Sequence, residues 1–450
     1  MRPSGVGLLV WVVTVHGLLP TLHAQQEVAS SDSAEISLGL EAQNLSLAGG
    51  SWEGTSDDAS PGVNHHTSVF IAAKSAGSKP NFEGKLTYEM ARLCVPGGAQ
   101  VIQAGFDRAT GPYGRSGTRV RLRMAAQISP SIRLVAGRDT LHDGYGLRSL
   151  FRGGHAAPVP FCQTEINGGR LTYRHRIQAL SSSFAVSHRL ELAVGHSWKF
   201  ALWGAVIWPT EGGSGRWFEP HYLVPIAAFR PTEYSQGSSD NAMVGGEFRF
   251  NLCPKRTLQR YLYGQFILDE LLIAHLTAGD HWWGNQWGLL GGLHWGYKSE
   301  HHKGHLRAEI SAVRPFTYAH TSGQLSWVQG PTPLAHPLGA HFAEAVLASE
   351  HLHKSWSFHT LLTGSTRGTN GSIPADGDTD RLSDTAPWFD GASRELLYGR
   401  VELGRKINVG SEQFTLYVAA VERRLTTREY GVQIGLRSGA PLRALQAPNR

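Results

Sequence analysis

Beyond its first 24 residues, this 450-residue chain lacks any uninterrupted apolar run long enough to cross a bilayer as a helix. A helical span needs about 20 apolar residues, so a membrane form of this protein would have to cross as strands. The first 24 residues read as a cleaved signal peptide, with Arg2 at the start, an apolar run at 7–19 and Ala24 at the cleavage site. The alternative, an N-terminal membrane helix, is disfavoured because the run is short.

Cysteine is scarce as well. Cys94, Cys162 and Cys253 are the only three, and their spacing fits no metal-binding motif. An odd number in an exported chain allows at most one disulfide and leaves a thiol over. We therefore predict no functional role for them.

Motifs for hydrolysis and for phosphate binding are absent: there is no Gly-x-Ser-x-Gly, no His-Glu-x-x-His and no glycine-rich phosphate loop. Asp280 and His281 are neighbours, as are His196 and Ser197, and neighbours on a strand point to opposite faces. The histidine-rich turn at 300–305 offers imidazoles for a transition metal, although an exposed turn is more often solvated. The sequence thus predicts no catalytic residue, no metal site and no cofactor.

The composition favours strands and anionic partners. The 53 glycines, 13 tryptophans and 13 tyrosines, with 41% hydrophobic residues and a mean hydropathy of −0.23, suit many short strands, turns and aromatic girdles. The net charge of +6 and the isoelectric point near 9.2 indicate acidic polysaccharide or lipopolysaccharide phosphates as partners. Nucleic acid is not predicted as a partner of an exported chain.

Arginine and apolar residues alternate strictly near residue 120. The arginines are Arg119, Arg121 and Arg123, and the apolar residues are Val120, Leu122 and Met124. Similar alternation recurs at 132–137, 170–177, 189–194, 287–297, 305–310, 400–403 and 430–437. Because successive side chains of a strand point to opposite faces, this pattern predicts an all-β fold with one charged and one apolar face. Behind an export signal, it favours a large antiparallel transmembrane barrel with lipid outside and a charged lumen.

The chain shows no composition shift that would divide the barrel into two globular domains. We predict a signal peptide at 1–24, a periplasmic lead-in at 25–65 with one strand near 34–40, the barrel at 66–437 and a tail at 438–450. At about one strand and connection per 24 residues, the barrel would have roughly 16 to 18 strands. The polar, acidic stretch at 368–380 is predicted to be a surface loop.

Four blocks of sequence are more specific than generic strand. They lie at 137–158, 263–286, 314–320 and 333–344. In this order they resemble the capsule assembly Wzi family of outer-membrane barrels, in particular its gliding-motility RemB-like branch. Two departures matter: the first block has a two-residue insertion before Arg148, and position 341 is His where that branch usually has Asn.

The resemblance implies a large closed barrel that holds or organises surface polysaccharide. Within the blocks, polar and aromatic side chains are the candidate site residues: Asp143, Arg148, Asp269, Glu270, Trp283, Asn285, Arg314, Tyr318, His320, His336 and Glu344. Six of these are expected to form a polar network that fills the barrel, or a ligand site: Asp143, Arg148, Asp269, Glu270, Arg314 and His320. Charges in so confined a space must be paired or hydrogen-bonded.

Residue chemistry independently suggests glycan binding. Guanidinium groups bind carboxylates in bidentate fashion, and uronic acids offer such groups. The glycan-binding candidates are Arg119, Arg121, Arg123, Arg170, Arg174 and Arg176, and Arg133 and Arg189 are expected on the same lumen side. The aromatic candidates for stacking on sugars are Trp217, Trp283, Trp327 and Trp388. The alternative is that lumen arginines pair with neighbouring carboxylates and that the aromatics form the interface girdle.

We therefore predict a non-catalytic outer-membrane barrel for attachment or assembly of capsular or related polysaccharide, with outer-membrane lipids and export or motility components as further partners. Three other functions remain open: a channel for anionic solutes, an outer-membrane hydrolase, and a gliding or adhesion component.

Overall fold

The fold is seen in a computed structural model of the chain. It describes residues 33–47, 62–76, 81–93, 107–111, 114–210, 215–216, 219–223, 240–253, 259–320, 322–330, 332–372, 374, 383–389, 393–409, 412–424 and 428–438. The predicted signal peptide at 1–24, and all of the predicted tail except Ser438, lie outside these residues.

The described residues form twenty-three strands, and eighteen of them build the barrel wall. The strands are β1 (Ser33–Leu47), β2 (Gly62–Ala76), β3 (Asn81–Leu93), β4 (Asp107–Gly111), β5 (Gly114–Gln127), β6 (Ile132–Asp139), β7 (His142–Asp143), β8 (Arg152–Gly153), β9 (Val159–Asn167), β10 (Leu171–Ala179), β11 (Ser183–Val194), β12 (Trp198–Pro209), β13 (Asn241–Asn251), β14 (Arg260–Glu270), β15 (Gln286–Lys298), β16 (His302–Val313), β17 (Val328–Gln329), β18 (Thr332–Pro333), β19 (Phe342–His353), β20 (Trp356–Arg367), β21 (Arg394–Val409), β22 (Glu412–Arg424) and β23 (Arg428–Ser438). One short helix, α1, spans Ile273–Ala278, and two 3₁₀ turns span Pro220–Leu223 and Gly323–Leu325.

The main sheet closes on itself. It has nineteen strands, of which β4 pairs only with β5, and this leaves eighteen in the wall. Each wall strand pairs antiparallel with its two neighbours, and β1 pairs with both β2 and β23. Closure satisfies the backbone groups that an open edge would expose to hydrocarbon. The predicted fold class and strand number are confirmed. No helix among the described residues is long and apolar enough to cross a membrane.

The wall is apolar outside and charged inside. On β16, Leu306 and Ile310 are exposed at 36% and 69%, whereas the intervening Arg307 and Glu309 are only 2% and 3% exposed. The same alternation continues on β21, where Leu403 is exposed and Glu402 is buried. A soluble protein would bury the apolar face, so this arrangement is that of a barrel whose solvent is lipid.

The two ends of the barrel differ. Connections at one end are short: 128–131, 168–170, 195–197, 299–301 and 354–355. Most connections at the other end are long: 140–158, 210–240, 271–285, 314–341 and 368–393, although 180–182 and 425–427 are short. The start of β1 and the end of β23 both lie at the short-turn end. In bacterial outer-membrane barrels short turns face the periplasm and long loops face outward, which orients this wall.

The barrel begins earlier than its sequence suggested. Strand β1 occupies Ser33–Leu47, inside the segment at 25–65 that we predicted as a periplasmic lead-in with one strand. The alternation near 34–40 does mark a strand, but that strand is part of the wall. It has to be, because its pairing with β23 closes the sheet.

The connection at 140–158 folds back into the lumen and forms a plug. It follows β6, the fifth wall strand, and its Arg148 reaches Glu344 on β19, the fourteenth. Since eight wall strands lie between β6 and β19 in either direction, the plug crosses the full width of the barrel. Phe151 of the plug stacks on Trp203 of the wall, with ring centroids 5.0 Å apart.

Candidate functional site

The start of the plug is held by two arginines of β10. Asp143 accepts hydrogen bonds from Arg176 at 2.5 Å and from Arg174 at 3.2 Å. Burial alone would raise the pKa of Asp143, but the two guanidinium groups outweigh it and hold the pKa well below its usual range. Arg174 and Arg176, both predicted to bind glycan, therefore anchor the plug.

Three charged or titratable groups meet at the far end of the plug. Arg148 Nη1 lies 2.8 Å from Glu344 Oε1, and His336 Nε2 lies 2.9 Å from Glu344 Oε2. All three side chains are at most 7% exposed. This cluster joins the plug, strand β19 and the loop at 314–341.

Between these anchors, wall side chains accept hydrogen bonds from plug groups. The backbone N–H of Tyr145 donates to Glu247 at 2.9 Å, and its hydroxyl donates to Glu191 at 2.6 Å. The N–H of Leu150 donates to Gln265 at 3.1 Å. Buried N–H groups need such acceptors, because an irregular segment cannot pair them in a sheet. The polar side chains of the wall therefore help to fix the position of the plug.

The other motif residues form a second cluster near the long-loop end. The backbone N–H of Tyr318 donates to Asp269 at 2.8 Å, and the Tyr318 hydroxyl donates to the Leu150 carbonyl at 3.0 Å. Arg314 Nε donates to the Asn285 carbonyl at 3.1 Å.

The remaining motif residues play smaller structural parts. His320 donates its backbone N–H to Ser326 Oγ at 3.1 Å, and Glu270 pairs in register with Gln286. Half-buried Trp283 packs edge-on against Phe316. The expected single network is thus divided into separate clusters.

The loop at 314–341 contains three left-handed residues that are not glycine. Phe316, Tyr318 and His341 have φ values of 61°, 74° and 54°. Such values are costly for bulky residues and persist only where packing enforces them. Asn and His tolerate this region better than most residues, which explains how His341 replaces the Asn of the resembling branch. His341 Nε2 also accepts the backbone N–H of Phe389 at 2.8 Å.

A basic chamber of about 550 Å³ lies between the plug and the short-turn end. Its floor includes turn residues such as Pro130 and Gly169, and its roof includes Gly144 and Tyr145 of the plug. Its charged lining comprises seven cations and two carboxylates: Arg123, Arg133, Arg174, Arg176, Arg189, Lys199 and Arg249, with Glu165 and Glu191. Five of these arginines and Lys199 are paired with carboxylates, among them Asp139, Asp143 and Glu247, so Arg249 is the one lining cation without an ion pair among the described residues.

The arginines predicted to bind glycan lie in different parts of the structure. Arg121 and Arg123 face the lumen, where they lie 3.6 and 3.9 Å from Asp139. Arg170 is exposed at the short turn after β9 and does not line the chamber. Strand register places Arg119 opposite Glu89, and its side chain lies outside the described residues.

Two chamber cations were missed from sequence. Lys199 lies 2.8 Å from Glu191. Arg249 donates to the Asn251 amide oxygen at 2.9 Å and lies 4.1 Å from the centre of the Tyr261 ring. It forms no ion pair with a carboxylate of the described residues. Both alternate with outward aromatic residues, so the same period-two rule would have found them.

One aromatic prediction is wrong. Trp327 is only 1% exposed and donates its indole N–H to the Phe151 carbonyl at 2.7 Å, so its ring is closed to a sugar. It serves as part of the core around the plug instead. Trp388 is half-buried and packs edge-on against Trp287, and Trp217 lies outside the described residues.

Cysteines and metal ligands show no clustered site. Cys162 and Cys253 are free thiols, and Cys94 lies outside the described residues. Across the part of the chain that the structure describes, no group of three or more His, Cys, Asp or Glu side chains is placed to hold a metal ion.

Comparison with known proteins supports the fold. No family model and no curated protein sequence matches the chain. Among solved structures, it is similar to Wzi of Escherichia coli, an outer-membrane protein involved in group 1 capsule assembly and a carbohydrate-binding β-barrel, with 13% identity and a TM-score of 0.58 over 88% of this chain and 83% of that one. It is also similar to OccK9 (OpdG) of Pseudomonas aeruginosa, with 10% identity and a TM-score of 0.50 over 90% and 98%. The chain therefore has the fold of large outer-membrane barrels, and its likeness to Wzi holds at the level of fold.

The Arg148–Glu344 pair gives a test of the plug. Arg148→Met leaves a buried carboxylate without its arginine, and we expect a loss of about 3–5 kcal/mol in stability. Thermal unfolding in detergent measures this loss. The double variant Arg148→Met/Glu344→Gln removes both charges and should recover much of it. Equal losses in the single and double variants would contradict the pairing.

Acid should loosen the plug. Burial, reinforced by His336 and Arg148, lowers the pKa of His155 from 6.5 to about 3. The folded plug therefore binds fewer protons than an unfolded one between these values, so stability is constant above about pH 6.5 and falls as pH drops towards about 3.

Protease accessibility of the plug as a function of pH would show this loosening. His155→Asn cannot take up the proton and should flatten the profile. The flattening should be partial, because burial also lowers the pKa values of His142 and His336. An unchanged profile in His155→Asn would count against the assignment.

Proposed function

We propose that this chain is a non-catalytic outer-membrane barrel that binds an acidic polysaccharide, capsular or related, during its attachment or assembly at the cell surface. The basic chamber is the observation that carries the proposal. Seven cations line a space of about 550 Å³, and one of them, Arg249, has no ion pair with a carboxylate of the described residues. A cation left without a counter-charge in a confined space attracts an anionic ligand.

The chemistry of the chamber suits uronic acids. Its arginines offer planar forks that bind carboxylates through two parallel hydrogen bonds. The Tyr261 ring, 4.1 Å from the Arg249 guanidinium, holds that side chain at the chamber lining. The carbohydrate binding of Wzi, a barrel of similar fold, supports this choice of ligand.

The position of the chamber suggests the direction of approach. It reaches the short turns at 128–131 and 168–170, and the plug covers it on the long-loop side. With short turns in the periplasm, a glycan would meet the chamber from the periplasmic side. The described residues thus favour the short-turn end of the lumen as the place of binding.

Export and location form part of the proposal. The signal peptide predicted at 1–24 would direct the chain out of the cytoplasm, and the apolar outer wall would place it in the outer membrane. The four sequence blocks support kinship with the Wzi family. A role in gliding motility, suggested by the RemB-like branch, would use the same glycan binding for movement.

Neutralising one chamber cation tests the proposal. Arg249→Gln should weaken binding of an oligouronate to the full-length protein about tenfold, because a charge-assisted hydrogen bond is lost. Isothermal titration calorimetry measures this, with a neutral oligosaccharide of equal length as the ligand control. Arg424→Gln, which changes an exposed arginine at the long-loop end, should leave affinity unchanged.

The proposal can also be tested in cells. Deletion of the protein should shift acidic polysaccharide from the cell-bound to the shed fraction, and Arg249→Gln should do so in part. An unchanged bound fraction, together with no oligouronate binding by the purified protein, would refute the proposal.

A channel for anionic solutes is the second candidate, and the basic lining of the lumen favours it. The plug argues against it, because it spans the width of the barrel between Asp143 and Arg148. In planar bilayers we expect low conductance from the native protein and larger, anion-selective conductance from Arg148→Met, whose plug is loosened. Steady open conductance of the native protein would favour the channel.

A further inference from the structure

The outer face of the barrel carries an aromatic and basic strip at the short-turn end, on strands β14 to β21. Arg260 pairs in register with Trp295, and its guanidinium lies 4.2 Å from the centre of that ring. Arg260 Nε also donates to the Gly296 carbonyl at 3.0 Å, which holds the side chain in place. Trp295 is 41% exposed on the apolar outer face.

The strip continues across the next strands. His302 pairs with His353, and their rings stack with centroids 4.2 Å apart. His353 pairs in turn with Trp356, and Trp356 pairs with Arg405. The Arg405 guanidinium lies 5.2 Å from the centre of the Trp356 ring. Two arginine–tryptophan pairs thus flank a histidine pair.

Between them lies a further polar pair, the Tyr297 hydroxyl and His351 Nδ1, which are hydrogen-bonded. The girdle patch is defined here as these eight residues: Arg260, Trp295, Tyr297, His302, His351, His353, Trp356 and Arg405.

Three lysines lie at or beside the two turns next to the girdle patch. Lys298 and Lys303 pair at the end of the β15–β16 hairpin, and exposed Lys354 lies in the turn after β19. The two turns touch, because the N–H of Lys354 donates to the His301 carbonyl at 3.4 Å. Glu300 is the one carboxylate of these two turns, and none lies at the outward positions of the girdle patch.

Strand β12, which lies two strands before β14 in the wall, lacks this charge at the same end. Trp198 is 40% exposed at the same end of β12, but its contacts are Phe200, Phe248 and Phe250. Among the described contacts, no arginine lies over the Trp198 ring. Aromatic girdles are general in outer-membrane barrels, whereas the girdle patch adds arginines and histidines to the aromatic residues.

We infer that the girdle patch binds the phosphate head groups of anionic phospholipids in the leaflet at the short-turn end. The patch is continuous with the lipid-facing belt, so its occupant is a membrane lipid and not a lumen solute. Its charge is complementary to phosphate, and basic clusters at this depth attract anionic lipids. This inference is independent of the glycan proposal, because it concerns the outer face of the wall.

Bromine-labelled lipids test the inference, because they quench only tryptophans that they touch. The full-length protein is folded into phosphatidylcholine bilayers that contain a small fraction of brominated phosphatidylglycerol or brominated phosphatidylcholine. We expect stronger quenching by the anionic lipid. W295F/W356F removes the reporters of the girdle patch and should abolish the excess, whereas W198F should preserve it.

Removal of arginine charge from the girdle patch should reduce the same excess quenching by the anionic lipid. R260Q/R405Q should weaken the apparent preference for phosphatidylglycerol about fivefold for each arginine removed. Raising the salt concentration with the native protein should also reduce the preference, so the test does not depend on how well the variant folds. Equal quenching by both lipids, an excess that survives in W295F/W356F, or a preference indifferent to both charge and salt would overturn the inference.

Discussion

Buried charge inside a closed barrel is the constraint on which this structure depends. The plug buries Asp143 and Arg148 inside the lumen, at 2% and 6% exposure, and each must find an opposite charge there. Arg176 and Glu344 provide these charges on opposite walls. The plug is therefore held at both ends by pairs that would be costly to break, and its path across the barrel follows from where those partners lie.

That path divides the lumen. Towards the long loops, plug and loop side chains such as Phe151, Trp327 and Tyr318 build a packed core. Towards the short turns, the plug leaves a cavity in which wall cations outnumber carboxylates. Arg174 and Arg176 belong to both regions, because they are hydrogen-bonded to Asp143 of the plug and also line the chamber. A ligand in the chamber would thus contact the groups that hold the plug.

Much of this was predictable from alternation alone. The pattern around residue 120 assigned Arg121 and Arg123 to the lumen and Met124 to the lipid face, and the structure agrees. The pairing of lumen arginines with carboxylates was also foreseen as an alternative. What alternation could not show was the partner of each charge. Arg148 and Glu344 are separated by 196 residues, and no local pattern links them.

The face of the wall that each strand residue occupies follows from the sequence alone, because a strand has a period of two and the lipid and the lumen tolerate opposite chemistries. The approximate number of strands follows from it as well. Three features became visible only in the folded chain: the connection at 140–158 enters the lumen, Trp327 is buried in a core, and β1 belongs to the wall. These outcomes depend on contacts across the barrel, and the irregular connections that make them have no period to read.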